Sequence, residues 1–262
     1  MSLRGRYIID RIKYTLAGKL RLPVPPYGDP SYWDKSYMGF GPTDVFEWGD
    51  VSFSDLSKYE FVSIDWESLS TKPSVGQKET TTLGETIAIE SHAKSDEPIL
   101  MLGCGNSRLG EEMIQNGWRG PIIQVDVSSR IIESMSHRCS TLISDGHMNF
   151  IQDDATELSA FRNEMIHACL DKGLIDAVSC ADEYEQCSSI LNSVNRVLKP
   201  GGIFVFLSYS RPEFLLPKIA FSGDWNQTNW ESIQVQELPK ILLYRCQKTT
   251  KQYSSKRKAR RK

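Results

Sequence analysis

No Cys-x-x-Cys pair occurs in the 262 residues, although the chain holds six cysteines, at positions 104, 139, 169, 180, 187 and 246. The four histidines do not cluster with them, so the ligand spacing of a zinc site is missing. No apolar run approaches the ~18 residues that cross a bilayer, which sets membrane spanning aside. Charge of one sign is not in excess: 31 Lys and Arg stand against 33 Asp and Glu, a formal net charge of −2. A whole-molecule field for steering onto nucleic acid is therefore absent. There is no internal repeat at a fixed period, which excludes solenoids and propellers. What is present is ordinary globular composition, 40% hydrophobic and 24% charged. The length suits one large domain with extra segments, or at most two small domains. Several cysteines sit in apolar runs, as buried reduced thiols of an intracellular protein do.

Both ends are basic. The start carries Arg4, Arg6, Arg11, Lys13, Lys19 and Arg21 against one acid, Asp10, with Ile8, Ile9, Ile12, Leu16 and Leu20 on one side of a helical wheel. Two readings stand: a mitochondrial transit peptide, or an amphipathic first helix packed on the domain. They correspond to a mitochondrial or a cytoplasmic location. The last residues, KQYSSKRKARRK, read as a solvated tail or as a nucleic-acid or nuclear-import signal.

Residues 22 to 31, LPVPPYGDPS, hold four prolines and form a linker or extended arm. An irregular aromatic-rich segment follows, residues 32 to 53. Residues 68 to 83 are mostly polar and read as a flexible loop. From Pro98 the pattern becomes regular. Apolar runs of strand length, PILML (98–102), PIIQV (121–125), MNFI (148–151), MIHACL (165–170) and GIFVFL (202–207), alternate with segments of helical spacing. Those segments begin after Ser107, span roughly 128 to 138, and span roughly 183 to 198. Continuous apolar strands between amphipathic helices predict a parallel sheet covered on both faces. SIQVQEL (232–238) and KILLYRCQ (240–247) meet at Pro239 and predict a closing antiparallel pair. The fold class is α/β, a Rossmann-like, doubly wound, mostly parallel seven-stranded sheet with a C-terminal hairpin.

The first regular strand runs into GCGNSR, residues 103 to 108, and then a helix. Glycine at 103 and 105 permits positive φ and close approach of backbone to a ligand. Asp126 ends the second strand, where a carboxylate can accept both hydroxyl hydrogens of a ribose. A dinucleotide and S-adenosylmethionine both suit that layout. A dinucleotide fingerprint asks for glycine at 108, and Arg108 stands there instead. FIQDDATEL places Asp153 and Asp154 after the third strand, to reach an adenine amine, to cap a short helix, or both. LDKGLIDAV (170–178) puts Asp171 and Lys172 at the carboxyl end of the fourth strand, or else in a surface turn. NRVLKPGG (195–202) ends a helix on Pro and Gly before the fifth strand.

The series LMLGCGNS, VDVS, DDATEL, LDKGLIDAV and NRVLKPGG resembles the seven-strand class I methyltransferases that use S-adenosylmethionine. Within them it is similar to the methyltransferase-like branch of protein-lysine methyltransferases, whose members act on elongation factor 1-alpha and on mitochondrial citrate synthase. YWDKSY (32–37) and FEW (46–48) match upstream motifs of that branch, and VQEL (235–238) resembles the citrate synthase enzyme. The resemblance implies a protein substrate and S-adenosyl-L-methionine as cofactor, without a metal. It implies that Trp33, Tyr37 and Trp48 wall the methionine end, that Gly103 lies under the cofactor, and that Asp126 and Val127 hold the ribose and flank the adenine. It further implies that Asp154 and Ala155 read the adenine edge and that Lys172 sits near the methionine carboxylate. Asp171 is the candidate catalytic residue, from its place at the edge of strand four. Three departures stand out: a longer spacing after Trp48, Leu174 and Ile175 where Thr-Leu or Thr-Trp is usual, and the basic tail. The chain divides into a basic arm or targeting segment (1–31), a cofactor-lid segment (32–97), the methyltransferase core (98–247) and a basic tail (248–262). A small-molecule or RNA methyltransferase and a non-catalytic binding protein are the alternatives; the negative net charge disfavours nucleic acid.

Overall fold

The computed structural model describes residues 25–39, 41, 43–51, 53, 97–118, 120–180, 184–215, 230–239 and 241–250, and the backbone of 62–64 and 75–78. The basic start, most of 54–96 and the basic tail lie outside the described residues, and with them the questions of targeting and of tail function.

The five apolar runs are strands. They are β3 (Ile99–Leu102), β4 (Ile122–Asp126), β5 (Met148–Gln152), β6 (Ile166–Lys172) and β7 (Leu198–Ser208). β5, β4, β3, β6 and β7 lie side by side in that order, each parallel to its neighbour. Alternate residues of β3 feed opposite faces of the sheet. Leu100 and Leu102 join one apolar cluster, and Ile99 and Met101 another. That two-sided burial is why the strands read as continuous apolar runs rather than alternating ones. β8 (Trp230–Glu237) and β9 (Leu242–Lys248) form the expected hairpin, with β9 inserted antiparallel between β7 and β8. The sheet is therefore seven-stranded in its core and mixed. It is extended at the β8 edge by two short strands, β1 (Val62–Ile64) and β2 (Val75–Lys78), which give nine among the described residues. β2 falls within the polar stretch read as a loop. Its backbone pairs although its sequence carries no alternating apolar pattern.

Helix α1 (Pro30–Ser36) starts on Asp29, whose side chain accepts from the Ser31 N–H, with proline in the first turn. α2 (Leu109–Gln115) follows β3 and packs Leu109 and Met113 on one face of the sheet. α3 (Ser129–Arg138) is capped by the Ser128 hydroxyl and turns Ile131 and Met135 inward. A short α4 (Ser140–Ser144) follows it. α5 (Leu174–Cys180) and α6 (Tyr184–Val197) cover the other face through Ile175, Val178, Ile190, Leu191 and Val194. α1 and α5 carry no long periodic run, and sequence spacing did not single them out. Both border the cavity described next.

Candidate functional site

β3 ends in the turn Gly103-Cys104-Gly105, with φ of +53° at Gly103 and +49° at Gly105. Side chains other than glycine rarely adopt such values. Space is also short there. A Cβ on Gly103 would lie 2.9 Å from Leu174 Cβ, and one on Gly105 would lie 2.8 Å from the Tyr37 hydroxyl. The Cys104 N–H donates to Val125 O at 3.0 Å, and the Gly105 N–H donates to Asp126 Oδ2 at 3.0 Å. The turn is thus sewn to the end of β4.

Asp126 is buried, 7% exposed, and its Oδ1 accepts the Ser128 N–H at 3.0 Å. A carboxylate has about four acceptor positions, so these backbone bonds leave capacity for a hydroxyl donor. Burial pushes its pKa up to about 6, against the lowering pull of the backbone N–H groups. The same burial beside Asp126 holds the Tyr37 phenol protonated, its pKa raised well above the usual range.

These groups border a cavity of about 260 Å³ at the carboxyl edge of the parallel strands. Trp33 and Tyr37 reach it from α1, Trp48 from a 3-10 turn, and Gly103 from the glycine loop. Asp126 and Val127 come from the end of β4, Asp154 and Ala155 from the end of β5, and Lys172 from the end of β6. Nine of the ten residues singled out in the sequence therefore share one cavity. Asp154 also serves its own turn, accepting the Thr156 N–H at 2.8 Å and the Thr156 hydroxyl at 2.7 Å. Asp153 is committed to the same loop through Asp154 N–H, Ser159 Oγ and Ala160 N–H. The segment after β5 is a turn rather than a short helix, so the acid pair braces a loop beside the cavity instead of capping a helix.

Asp171 is the tenth, and the structure turns it away from the cavity. Its two oxygens accept the N–H groups of Leu174 at 2.7 Å and Ile175 at 2.9 Å, so it caps the start of α5. It is 3% exposed, and burial pushes its pKa up to about 7. It does not border the cavity of about 260 Å³, and this capping role gives the expectation that it handles the incoming amine no support.

Several residues that the sequence did not single out assemble the site. Glu47 ties three segments together, accepting from the Arg108 N–H at 2.6 Å, from Ser107 Oγ at 2.9 Å and from the Lys172 ammonium. Burial lowers the Lys172 pKa, and the Glu47 carboxylate against it favours the charged form; we take the pair as ionised. Asn106 accepts the Phe46 N–H at 3.1 Å and donates to Asp44 O at 3.0 Å. Arg138, at the end of α3, donates to the carbonyls of Asn106 at 2.9 Å and Ser107 at 2.7 Å and pairs with Glu111. Tyr27, Gly28 and Pro30 add an outer wall, with the Trp33 indole N–H donating to Tyr27 O at 2.6 Å.

Residues 93–256 match the family described as a methyltransferase domain. The chain belongs to the methyltransferase-domain family. The eEF1A lysine and N-terminal methyltransferase of Mus musculus is 27% identical over 207 residues, covering 78% of this chain and 24% of that protein. The EEF1A lysine methyltransferase 4 of Bos taurus is 26% identical over 201 residues, covering 72% of this chain and 64% of that one. This methyltransferase-domain chain thus spans about a quarter of the length of the eEF1A lysine and N-terminal methyltransferases it matches. A solved structure described as "Conversion of a Disulfide Bond into a Thioacetal Group during Echinomycin Biosynthesis" aligns over 86% of this chain and 94% of that chain. Its TM-score is 0.52 at 15% identity, and it shares the fold. The cofactor of a methyltransferase domain built this way is S-adenosylmethionine, and the cavity suits it. A buried acid with open acceptor positions faces a space floored by positive-φ glycines and walled by Trp33, Tyr37, Phe46 and Trp48. Among the described residues no helix is long and apolar enough to cross a membrane.

Proposed function

We propose that the protein methylates a lysine side chain of a protein substrate by direct in-line transfer. The convergence of nine residues from α1, the 3-10 turn and four strand ends on one cavity supports the cofactor half of this reading. Relatives named for lysine methylation of an elongation factor, at 26 to 32% identity, support the substrate half. An elongation factor or a citrate synthase-like enzyme is the class of partner to try first.

Bound in the cavity, S-adenosylmethionine supplies an electrophilic methyl group on a sulfonium. The chain does the rest. Asp126 accepts the ribose hydroxyls, with Val127 flanking the adenine. Asp154 and Ala155 read the adenine edge, and the Ser193 hydroxyl holds the Ala155 carbonyl in place. Lys172, fixed by Glu47, offers positive charge toward the carboxylate end. Trp33, Tyr37 and Trp48 present aromatic faces that attract a cation and exclude water. A lysine amine has a pKa of ~10.4 in water and must arrive neutral. Desolvation at an aromatic mouth lowers that value and favours the nucleophilic form. Holding amine and methyl at near-attack distance can supply ~7–11 kcal/mol of the barrier.

Incubation with methyl-labelled S-adenosylmethionine and fractionated cell extract tests the reading. Label in methyl-lysine of a protein band is the expected result. Label in RNA or in small molecules, or none at all, would replace it with one of the alternatives.

A further inference from the structure

Trp48 enters the cavity wall from a three-residue 3-10 turn, too short to hold a large ring by its own backbone. Its position comes from outside the turn. The indole N–H donates to Asp176 Oδ2 at 3.2 Å. The same oxygen accepts the Tyr209 N–H at 2.9 Å, and Oδ1 accepts the Ser208 hydroxyl. Asp176 is 4% exposed, in the first turn of α5, and is not among the residues that border the cavity. The ring itself is clamped. A Cβ on Gly173 would come within 2.7 Å of it, and the Tyr209 ring packs at 5.9 Å and Phe46 at 6.3 Å.

We propose that Asp176 is a positioning residue, which holds Trp48 in the cavity wall by joining the lid segment to the end of β7 across the start of α5. This rests on the methyl-transfer reading above, since it is there that Trp48 encloses the reactive end. The two oxygens are used unequally, and that has a chemical consequence. An asparagine with its carbonyl oxygen in the Oδ2 place keeps the bonds to Trp48 and Tyr209. Its amide then donates to Ser208, whose hydroxyl oxygen accepts as readily as it donates. Asparagine therefore preserves the arrangement, and alanine abolishes it.

The decisive reading is the indole N–H resonance of Trp48, assigned by its disappearance in Trp48→Phe. In the unaltered protein, with S-adenosylhomocysteine bound, that proton is protected from exchange with water. In Asp176→Ala it moves and exchanges faster, and in Asp176→Asn it stays close to its original place. Label transfer at saturating cofactor gives the second reading. Asp176→Ala slows kcat by about tenfold or more, as displacement of a wall at the chemistry does, whereas Asp176→Asn retains most of the rate. The double variant Trp48→Phe/Asp176→Ala is no slower than Trp48→Phe alone, because one interaction is being removed twice. An unprotected indole proton in the unaltered protein overturns the proposal even if Asp176→Ala fails to fold. Losses that multiply in the double variant overturn it too. Absence of any label transfer removes the lysine reading but leaves the resonance test standing.

Discussion

At the scale of single residues, Asp126 and Asp171 show how like carboxylates part in role. Both end parallel strands, both are buried and both have raised pKa values, to about 6 and about 7. Asp126 accepts from backbone N–H groups and faces a cavity; Asp171 spends its oxygens on the first N–H groups of α5. A strand-end acid looks the same in sequence whichever way it turns, so spacing treats Asp126 and Asp171 alike, and only the fold separates the one that faces the cavity from the one that caps a helix. Hydrogen bonds to a charged group are worth about 1.5–3 kcal/mol. Asp126→Ala is therefore expected to weaken S-adenosylhomocysteine binding by about 10- to 100-fold in calorimetry, with the melting profile intact. Because its pKa lies at about 6, Asp126 is ionised at pH 8 and mostly protonated at pH 5. Protonation turns an acceptor into a donor, so the cofactor product binds about tenfold more weakly at pH 5 than at pH 8. Asp171→Ala removes a cap and costs about 1–2 kcal/mol in denaturant unfolding. It changes kcat only as far as α5 shifts; a variant of normal stability with abolished turnover would return Asp171 to the chemistry.

At the scale of elements, the site is a set of loops held by a rigid sheet edge. Four of the five parallel strands deliver Gly103, Asp126, Asp154 and Lys172 from neighbouring ends, and that delivery was readable because apolar runs of strand length are hard to mistake once they alternate with amphipathic helices. The covering segment was less readable. Its aromatic residues were visible, but the bonds that dock it come from Glu47, Asn106 and Asp176, polar residues with partners 33 to 128 positions away. Local pattern carries no signal for such pairs. Glu47 is the clearest case, because one carboxylate holds the glycine loop and the end of β6 together. Glu47→Ala leaves Lys172 buried without its counter-charge and frees the Ser107–Arg108 end of the loop. Loss of one partner of a buried pair costs about 3–5 kcal/mol, here reduced by solvent because Glu47 is part-exposed. The expected result is weaker cofactor binding together with faster proteolysis of the 41–53 segment; unchanged affinity would show that the latch is idle. Gly105→Ala joins an adverse φ to a Cβ placed 2.8 Å from the Tyr37 hydroxyl, and should abolish binding while leaving the secondary structure seen by circular dichroism intact.

At the scale of the whole molecule, one sheet with two covered faces carries the strand-end groups of the site and seats the segments that bring the aromatic ones, so fold stability and binding are coupled through it. The raised carboxylates set a sign. A folded-state pKa above the unfolded value means that the native chain binds protons more readily. Their contribution to stability is present below about pH 4 and is lost as pH rises through 6 to 7. Asp171→Asn should therefore gain on the unaltered protein as pH rises from 5 to 8 in parallel unfolding titrations, and a gap that does not change with pH would contradict it. The cysteines follow the same burial. Five of six are buried and Cys180 is intermediate, so a thiol reagent should label Cys180 first and the rest only on unfolding. The class of fold was readable in the chain, and nine of the ten singled-out positions border one cavity, because backbone demands at glycine turns and strand ends leave local marks. The two edge strands, the caps and the latch were not, because they depend on what folding brings near. The central claim is that a cavity gated by Asp126 takes S-adenosylmethionine, and isothermal titration of that cofactor into folded protein and into Asp126→Ala tests it most directly. The account predicts one site in the unaltered protein, weakened about 10- to 100-fold in the variant. No binding heat from folded protein, or equal affinity in both, would contradict it.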